Sequence, residues 1–372
     1  MNGGSTSMTN FPTQPRMLTT GWLTQMLRSA GQLTDAQEIH RFSIQSIGDG
    51  VAMLGQVVRV ELVYQDDSPG APSSLVIKFA SEDEGRRAVG MELRGYEREA
   101  TFYTEIAGSV GVPKPACYFA AVVKESGEYI VVLEDMRRYR AGDQLAGVGL
   151  HETKQVIDAL LPLHVAFWGN TDQEVLRDVM HVDTTWMEMY MKSVDGSWRN
   201  CVTQFGYCIP AEVARSLADY VGGLRRLHKM MGDRTQTLVH GDPRLDNIMF
   251  NEGAQGAPVV LLDWQTLMIT NPLHDLALIL SMSATIEIRR AIEDEMVHYY
   301  HSKLVELGIT GYTLKQCYED YDLAILYLMS VGLVMGGFQP ANERGRRLAE
   351  EVLRRACAAV VDRGLLERIP AP

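Results

Sequence analysis

The spacing of apolar positions changes partway along this chain. Up to Leu133 they alternate or run in short blocks: Arg41 to Ile47, Val51 to Tyr64, Leu75 to Phe79, Tyr118 to Val123 and Tyr129 to Leu133. Such blocks, rich in β-branched residues and punctuated by Gly48-Asp49-Gly50, Ser68-Pro69-Gly70 and Glu125-Ser126-Gly127, predict strands joined by turns. Helical spacing interrupts them over Thr20 to Ala30, through Trp22, Leu23, Met26 and Leu27, and over Met91 to Ile106. After Glu134 the helical period takes over. Val156 to Trp168, Ala211 to Met231, His274 to Ala284, Ile288 to Leu307, Leu314 to Gly336 and Arg344 to Arg363 all predict helices, interrupted only by short strands around residues 238–262. The expectation is an α+β chain: an antiparallel sheet with one inserted helix over 17–134, then a larger, mostly helical part over 135–372. The change falls near Glu134-Asp135-Met136.

Residues 1–16 are rich in Ser, Thr, Asn and Pro and lack an apolar core, which predicts a mobile tail and no secretory signal. No stretch approaches ~20 uninterrupted apolar residues, so no membrane span is expected. Five scattered cysteines without paired spacing argue against a zinc site or a disulfide framework and favour a reducing cytoplasm. The net charge of −12 argues against nucleic acid as a partner.

The densest chemistry lies in His240-Gly241-Asp242-Pro243-Arg244-Leu245-Asp246-Asn247. A strand Ile248-Met249-Phe250, a Gly-containing turn and a second apolar run ending in Asp263-Trp264-Gln265 follow it. The hairpin brings Asn247 and Asp263 to one place. Their oxygens are hard ligands suited to Mg²⁺, which takes the rest of its shell from water and phosphate. Asp242 is then free to orient a hydroxyl nucleophile. Reading His240, Asp242 and Asp263 instead as ligands of a hydrolase metal lacks a second His cluster at ligand spacing.

This run resembles the aminoglycoside phosphotransferase and choline kinase family, small-molecule relatives of the protein kinases. With Asp-Trp-Gln it looks most like the ecdysteroid-kinase-like branch. Protein kinases carry H-R-D and D-F-G at these places; here Gly241 and Trp264-Gln265 stand there, and no A-P-E triplet follows.

The resemblance implies a bilobal kinase-like fold with an N-terminal nucleotide-binding lobe and a C-terminal catalytic and acceptor-binding lobe. It also implies an ATP- and Mg²⁺-dependent transfer of the γ-phosphate to a hydroxyl of a small molecule: steroid-like, aminoglycoside, choline or sugar. In it, Gly48 and Gly50 belong to a hairpin over the phosphates, where the alternative is a plain turn. Lys78 reaches the α- and β-phosphates, positioned by Glu99, which precedes Phe102 and Tyr103 by three and four residues, with Glu97 and then Glu92 as competitors. The backbone from Glu134 to Met136 contacts adenine. Asp242 is the catalytic base, Asn247 and Asp263 hold Mg²⁺, and Asp275 buttresses the loop. Arg244 either neutralises charge on the transferred group or pairs with Asp246 or solvent. Trp168, Trp186, Met187, Met189, Tyr190 and Trp198 are read as core residues that could also shape an acceptor pocket. The alternative to an active kinase is a silent nucleotide-binding protein of the same fold. Oligomeric state is left open.

Overall fold

The computed structural model describes residues 10–47, 55–66, 68–177, 179–181, 185–253, 255–338 and 342–371, with the side chains of 185–187 excepted. The chain divides into two units: Met1–Ile106 with Pro115–Arg137, and Ala107–Lys114 with Arg138–Pro372. The division after Arg137 lies slightly beyond the boundary expected from sequence, and the segment 107–114 groups with the second unit.

In the first unit the alternating blocks form β1 (Ile39–Ile47), β2 (Gly55–Tyr64), β3 (Ser74–Ala80), β4 (Cys117–Val123) and β5 (Glu128–Glu134). They pair antiparallel in the order β1-β2-β3-β5-β4. β3 is central, and side chains alternate across it. Ile77 and Phe79 enter a core shared with Val60, Val132 and with Leu23 and Leu27 of α1 (Thr20–Ser29). Lys78 lies between them in sequence and registers opposite Val131, which belongs to the other apolar cluster with Tyr96, Tyr129 and Leu133.

Two expectations fail in this unit. The single helix over 91–106 is α2 (Glu84–Glu92), α3 (Gly95–Thr101) and a π-helical turn, Phe102–Ile106. The break has a local cause: Arg94 adopts a left-handed conformation (φ 52°) before Gly95. α2 is fixed against Tyr96, because a Cβ at Gly90 would lie 2.6 Å from its ring. The described end of the tail expected over residues 1–16 is packed as well. Pro12 is buried, and Phe11 packs on Phe119 at 6.2 Å between ring centres.

The second unit contains β6 (Arg140–Ala141), α4 (Leu150–Ala166), β7 (Met180–His181), α5 (Thr185–Phe205), α6 (Ala211–Gly232), β8 (Thr237–Val239), β9 (Ile248–Phe250), β10 (Val259–Leu261), β11 (Met268–Thr270), α7 (Leu273–Leu278), α8 (Ile286–Glu306), α9 (Leu314–Gly337) and α10 (Glu343–Asp362). The strands make two small sheets, β10-β9-β6 and β7-β11-β8. The sequence reading omitted α5 and the strands β6, β7 and β11. α5 fits closely against α9: a Cβ at Gly337 would lie 2.4 Å from the Ser197 carbonyl oxygen. α7 runs into a π-helical turn, Ile279–Ser283, where one continuous helix was expected. α9 is long and apolar enough by composition to cross a membrane, yet most of it is buried in this unit's core, with Tyr321, Ala324, Leu328 and Met329 fully covered.

Candidate active site

β8 delivers the chain to His240, and the turn that follows is held from below by one carboxylate. Asp275, at the start of α7, accepts the His240 amide at Oδ2 (2.8 Å) and the Gly241 amide at Oδ1 (2.9 Å). It also meets His164 Nε2 at 3.2 Å, whose Nδ1 faces the Tyr300 hydroxyl at 2.8 Å. Burial alone would raise the Asp275 pKa; the His164 hydrogen bond and the neighbouring histidines outweigh it and hold the carboxyl below its usual range. Gly241 is required here. Its φ is +86°, and a Cβ would stand 2.2 Å from the Thr266 carbonyl oxygen.

The imidazole of His240 braces the loop. Nε2–H donates to the Leu262 carbonyl (2.9 Å), which leaves Nδ1 to accept the Asp242 amide (3.4 Å). Its ring lies 4.5 Å from that of Trp264, which is fully buried. The motif tryptophan thus fills the space beneath the loop. His274 Nε2 reaches the Gly241 carbonyl at 3.1 Å.

Asp242 presents a carboxylate that is 25% exposed. Burial pushes its pKa up to about 6, opposed by Arg244 and Asn247 and reinforced by Asp263 and Asp275. Arg244 Nη1 stands 3.5 Å from Asp242 Oδ2, and its buried Nε has no hydrogen-bond partner among the described residues. Asp246 is not the ion-pair partner of Arg244; it accepts Arg344 at 3.2 Å and the Gln144 amide at 3.2 Å.

Asn247 ends the short 3-10 turn Leu245–Asn247. Its Nδ2 donates to the Asp242 carbonyl (2.9 Å) and carboxylate (3.2 Å), and its Oδ1 makes no hydrogen bond among the described residues. Asp263 follows β10 in a left-handed conformation, φ 64°. That is uncommon outside glycine and of a kind that clusters at functional sites. One amide oxygen and one carboxylate form a donor set that fits Mg²⁺. Among the described residues no group of three or more His, Cys, Asp or Glu side chains is disposed to hold a metal ion.

The first unit carries the other candidates. Lys78 Nζ meets Glu99 Oε1 at 2.8 Å, and Glu99 Oε2 accepts the Tyr129 hydroxyl at 2.5 Å. Glu99 is fully buried and Lys78 is 13% exposed. Glu97 turns elsewhere, to Arg94 at 2.8 Å and Lys124 at 3.6 Å, so Lys78 pairs with Glu99. Glu134 ends β5 with its amide donating to the Ala116 carbonyl (2.8 Å), and Met136 is buried beyond it. Gly48 and Gly50 lie outside the described residues, as does the side chain of Trp186. Tyr190 is a core residue, its hydroxyl 2.7 Å from Ser330 Oγ.

Sequence reasoning missed Tyr129, His164, Gln144 and Arg355. Tyr129 was open to detection, since it shares a strand face with Val131 two positions on. The others approach the loop from distant segments and carry no local signal.

The fold is kinase-like, of the α+β bilobal class found in small-molecule phosphotransferases. The chain matches the choline kinase of Cryptosporidium parvum Iowa II at 10% identity and TM-score 0.55, over 94% of this chain and 97% of that one. It matches the GDP and kanamycin complex of APH(2")-IIia at 14% and 0.53, over 91% and 98%. An ethanolamine kinase of Plasmodium vivax aligns at 14% and 0.50, over 89% and 86%. A model of the ecdysteroid kinase-like family matches residues 49–310, and the chain belongs to that family. It is also 24% identical over 320 residues to a Caenorhabditis elegans protein named uncharacterized oxidoreductase dhs-27, covering 77% of this chain but only 37% of that relative's length.

Proposed function

We propose that this chain is an ATP- and Mg²⁺-dependent phosphotransferase that moves the γ-phosphate to a hydroxyl of a small molecule. The observation that carries the reading is the constellation on the catalytic loop. Asp242 is braced by His240 and Asn247 and faced by Arg244, and in the same turn Asn247 Oδ1 makes no hydrogen bond among the described residues. Asp242 accepts the acceptor hydroxyl's proton as that oxygen bonds to phosphorus and the bond to the β-phosphate oxygen breaks. When bound, Mg²⁺-ATP supplies the electrophilic phosphorus and leaves as ADP. Asn247 and Asp263 are the metal ligands, Arg244 offsets charge near the transferred group, and Lys78, steadied by Glu99, grips the nucleotide phosphates. Catalysis of this kind is alignment and charge neutralisation. With the Glu134 amide bonded to Ala116, an adenine contact falls to the Glu134 carbonyl and the Met136 backbone.

For the acceptor we favour a hydroxylated apolar molecule of steroid-like type, in keeping with the family's name; aminoglycoside, choline and sugar acceptors are the competing classes. The test is a mass-spectrometric screen with Mg²⁺-ATP and a mixed library of all four, beside Asp242→Ala. A phosphorylated product absent from the variant supports the reading and names the class. Mg²⁺-dependent ATP binding without product from any class overturns it in favour of a silent nucleotide-binding protein.

A further inference from the structure

Residues Leu245 and Asp246 lie between the candidate base and the candidate metal ligand, and neither faces solvent alone. The segment after β6 is built against them. β6 pairs with β9, Ala141 opposite Met249, and the Gly142 amide donates to the Ile248 carbonyl at 2.9 Å. A Cβ at Gly142 would stand 2.3 Å from the Leu245 carbonyl oxygen. Gln144, 1% exposed, then grips the loop directly. Its Oε1 accepts the Leu245 amide (2.9 Å) and the Ser283 hydroxyl (2.9 Å), its Nε2 donates to the Met282 carbonyl (3.0 Å), and its own amide donates to Asp246 Oδ1 (3.2 Å).

Gln144 is itself clamped. Arg355 of α10 is 2% exposed. Its Nη1 donates to the carbonyls of Gln144 (2.7 Å), Ser283 (3.2 Å) and Met282 (3.3 Å), and its Nη2 to that of Leu145 (2.8 Å). The planar guanidinium suits such a fan of acceptors. Arg344 of the same helix takes Asp246. α10 therefore reaches the catalytic loop by two routes, through buried Gln144 and by Arg344 on Asp246.

We infer that Gln144 and Arg355 are positioning residues that set the register of the catalytic loop, so that α10 is a working part of the site. The turnover consequence rests on the phosphotransferase reading; the structural one does not. A shift of about 1 Å in a reacting group costs on the order of 10²-fold in rate.

The experiment measures amide exchange across residues 240–250 in the full chain for wild type, Gln144→Ala, Arg355→Met and Arg355→Lys, with exposed Arg347→Ala of the same helix as control. Faster exchange of the Leu245 amide is expected in Gln144→Ala and Arg355→Met, with Arg355→Lys intermediate and Arg347→Ala unchanged. With an acceptor in hand, kcat should fall about tenfold or more in the first two variants while the nucleotide KM moves less. Wild-type exchange over the loop in Gln144→Ala and in Arg355→Lys overturns the inference, even if Arg355→Met fails to fold. Loosened exchange with no phosphotransfer by the wild type leaves the latch standing and refutes the phosphotransferase reading.

Discussion

At the scale of single residues, the loop trades stability for chemistry. Asp242 has a folded pKa of about 6, above its usual value of 3.8, because burial disfavours its charge. A raised carboxyl pKa means the native state binds the proton more tightly than the unfolded chain. Ionising Asp242 between about pH 4 and 6 therefore costs stability, on the order of 2–3 kcal/mol. Asp242→Asn should raise the urea midpoint at pH 7.5, lose that gain near pH 4, and abolish phosphotransfer; no change at pH 7.5 would sink the assignment. Asp263 supports a companion prediction. Its left-handed backbone suits Asn and Gly better than Ala. Asp263→Asn should keep wild-type stability and Asp263→Ala should lose about 1–2 kcal/mol. Both should lose 10²-fold or more in turnover, an order of magnitude set by losing one charge-stabilising group. Unfolding curves and rates on the same preparations separate the two effects.

At the scale of elements, legibility follows the distance over which a pattern acts. Strands β2, β3 and β5 and helices α6, α8, α9 and α10 show their period within one window, and the structure keeps them. The Asn247–Asp263 hairpin was legible because a turn residue fixes it locally. What escaped was set by tertiary packing. α5 carries a helical period that the sequence reading passed over, and it packs against glycines of α9 far along the chain. Gln144 stands in a two-residue strand's wake, and its partners come from the loop, the π-helical turn and α10. Sequence favoured Glu99 for Lys78 but left Glu97 open, because both lie on one short helix; Tyr129 fixes Glu99 from β5, and Glu97 turns to Arg94 and Lys124. Glu99→Gln keeps the volume and the Tyr129 contact but removes the carboxylate charge that stands 2.8 Å from Lys78 Nζ. The expected outcome is a loss of about 1.5–3 kcal/mol and a nucleotide Kd raised about tenfold or more. Calorimetric titration that finds unchanged nucleotide affinity would remove the pair from the nucleotide site.

At the scale of the whole molecule, carboxyls with pKa shifts of opposite direction divide the pH axis. Asp135 in the first unit and Asp275 in the second are buried carboxyls, yet hydrogen bonds hold both below the usual range. Their contribution is fully present above about pH 4 and is lost as pH falls through their depressed values. Asp242 acts in reverse, adding stability as pH falls from about 6. The net charge of −12 reinforces it, since self-repulsion fades toward the pI near 5.3. Thermal stability should therefore peak near pH 5, whereas kcat/KM, which needs ionised Asp242 in the free enzyme, should fall about tenfold per unit below pH 6. Melting temperature and kcat/KM measured from pH 4 to 8 test both limbs. A melting temperature that climbs steadily to pH 8 would show that Asp242 does not bear the cost of its burial, and a flat rate profile would show that its ionisation does not matter. Asp275→Asn supplies the control. It turns an amide group toward two backbone N–H donors, so it should lower the melting temperature at pH 5 while flattening the acid limb that wild type shows below pH 4.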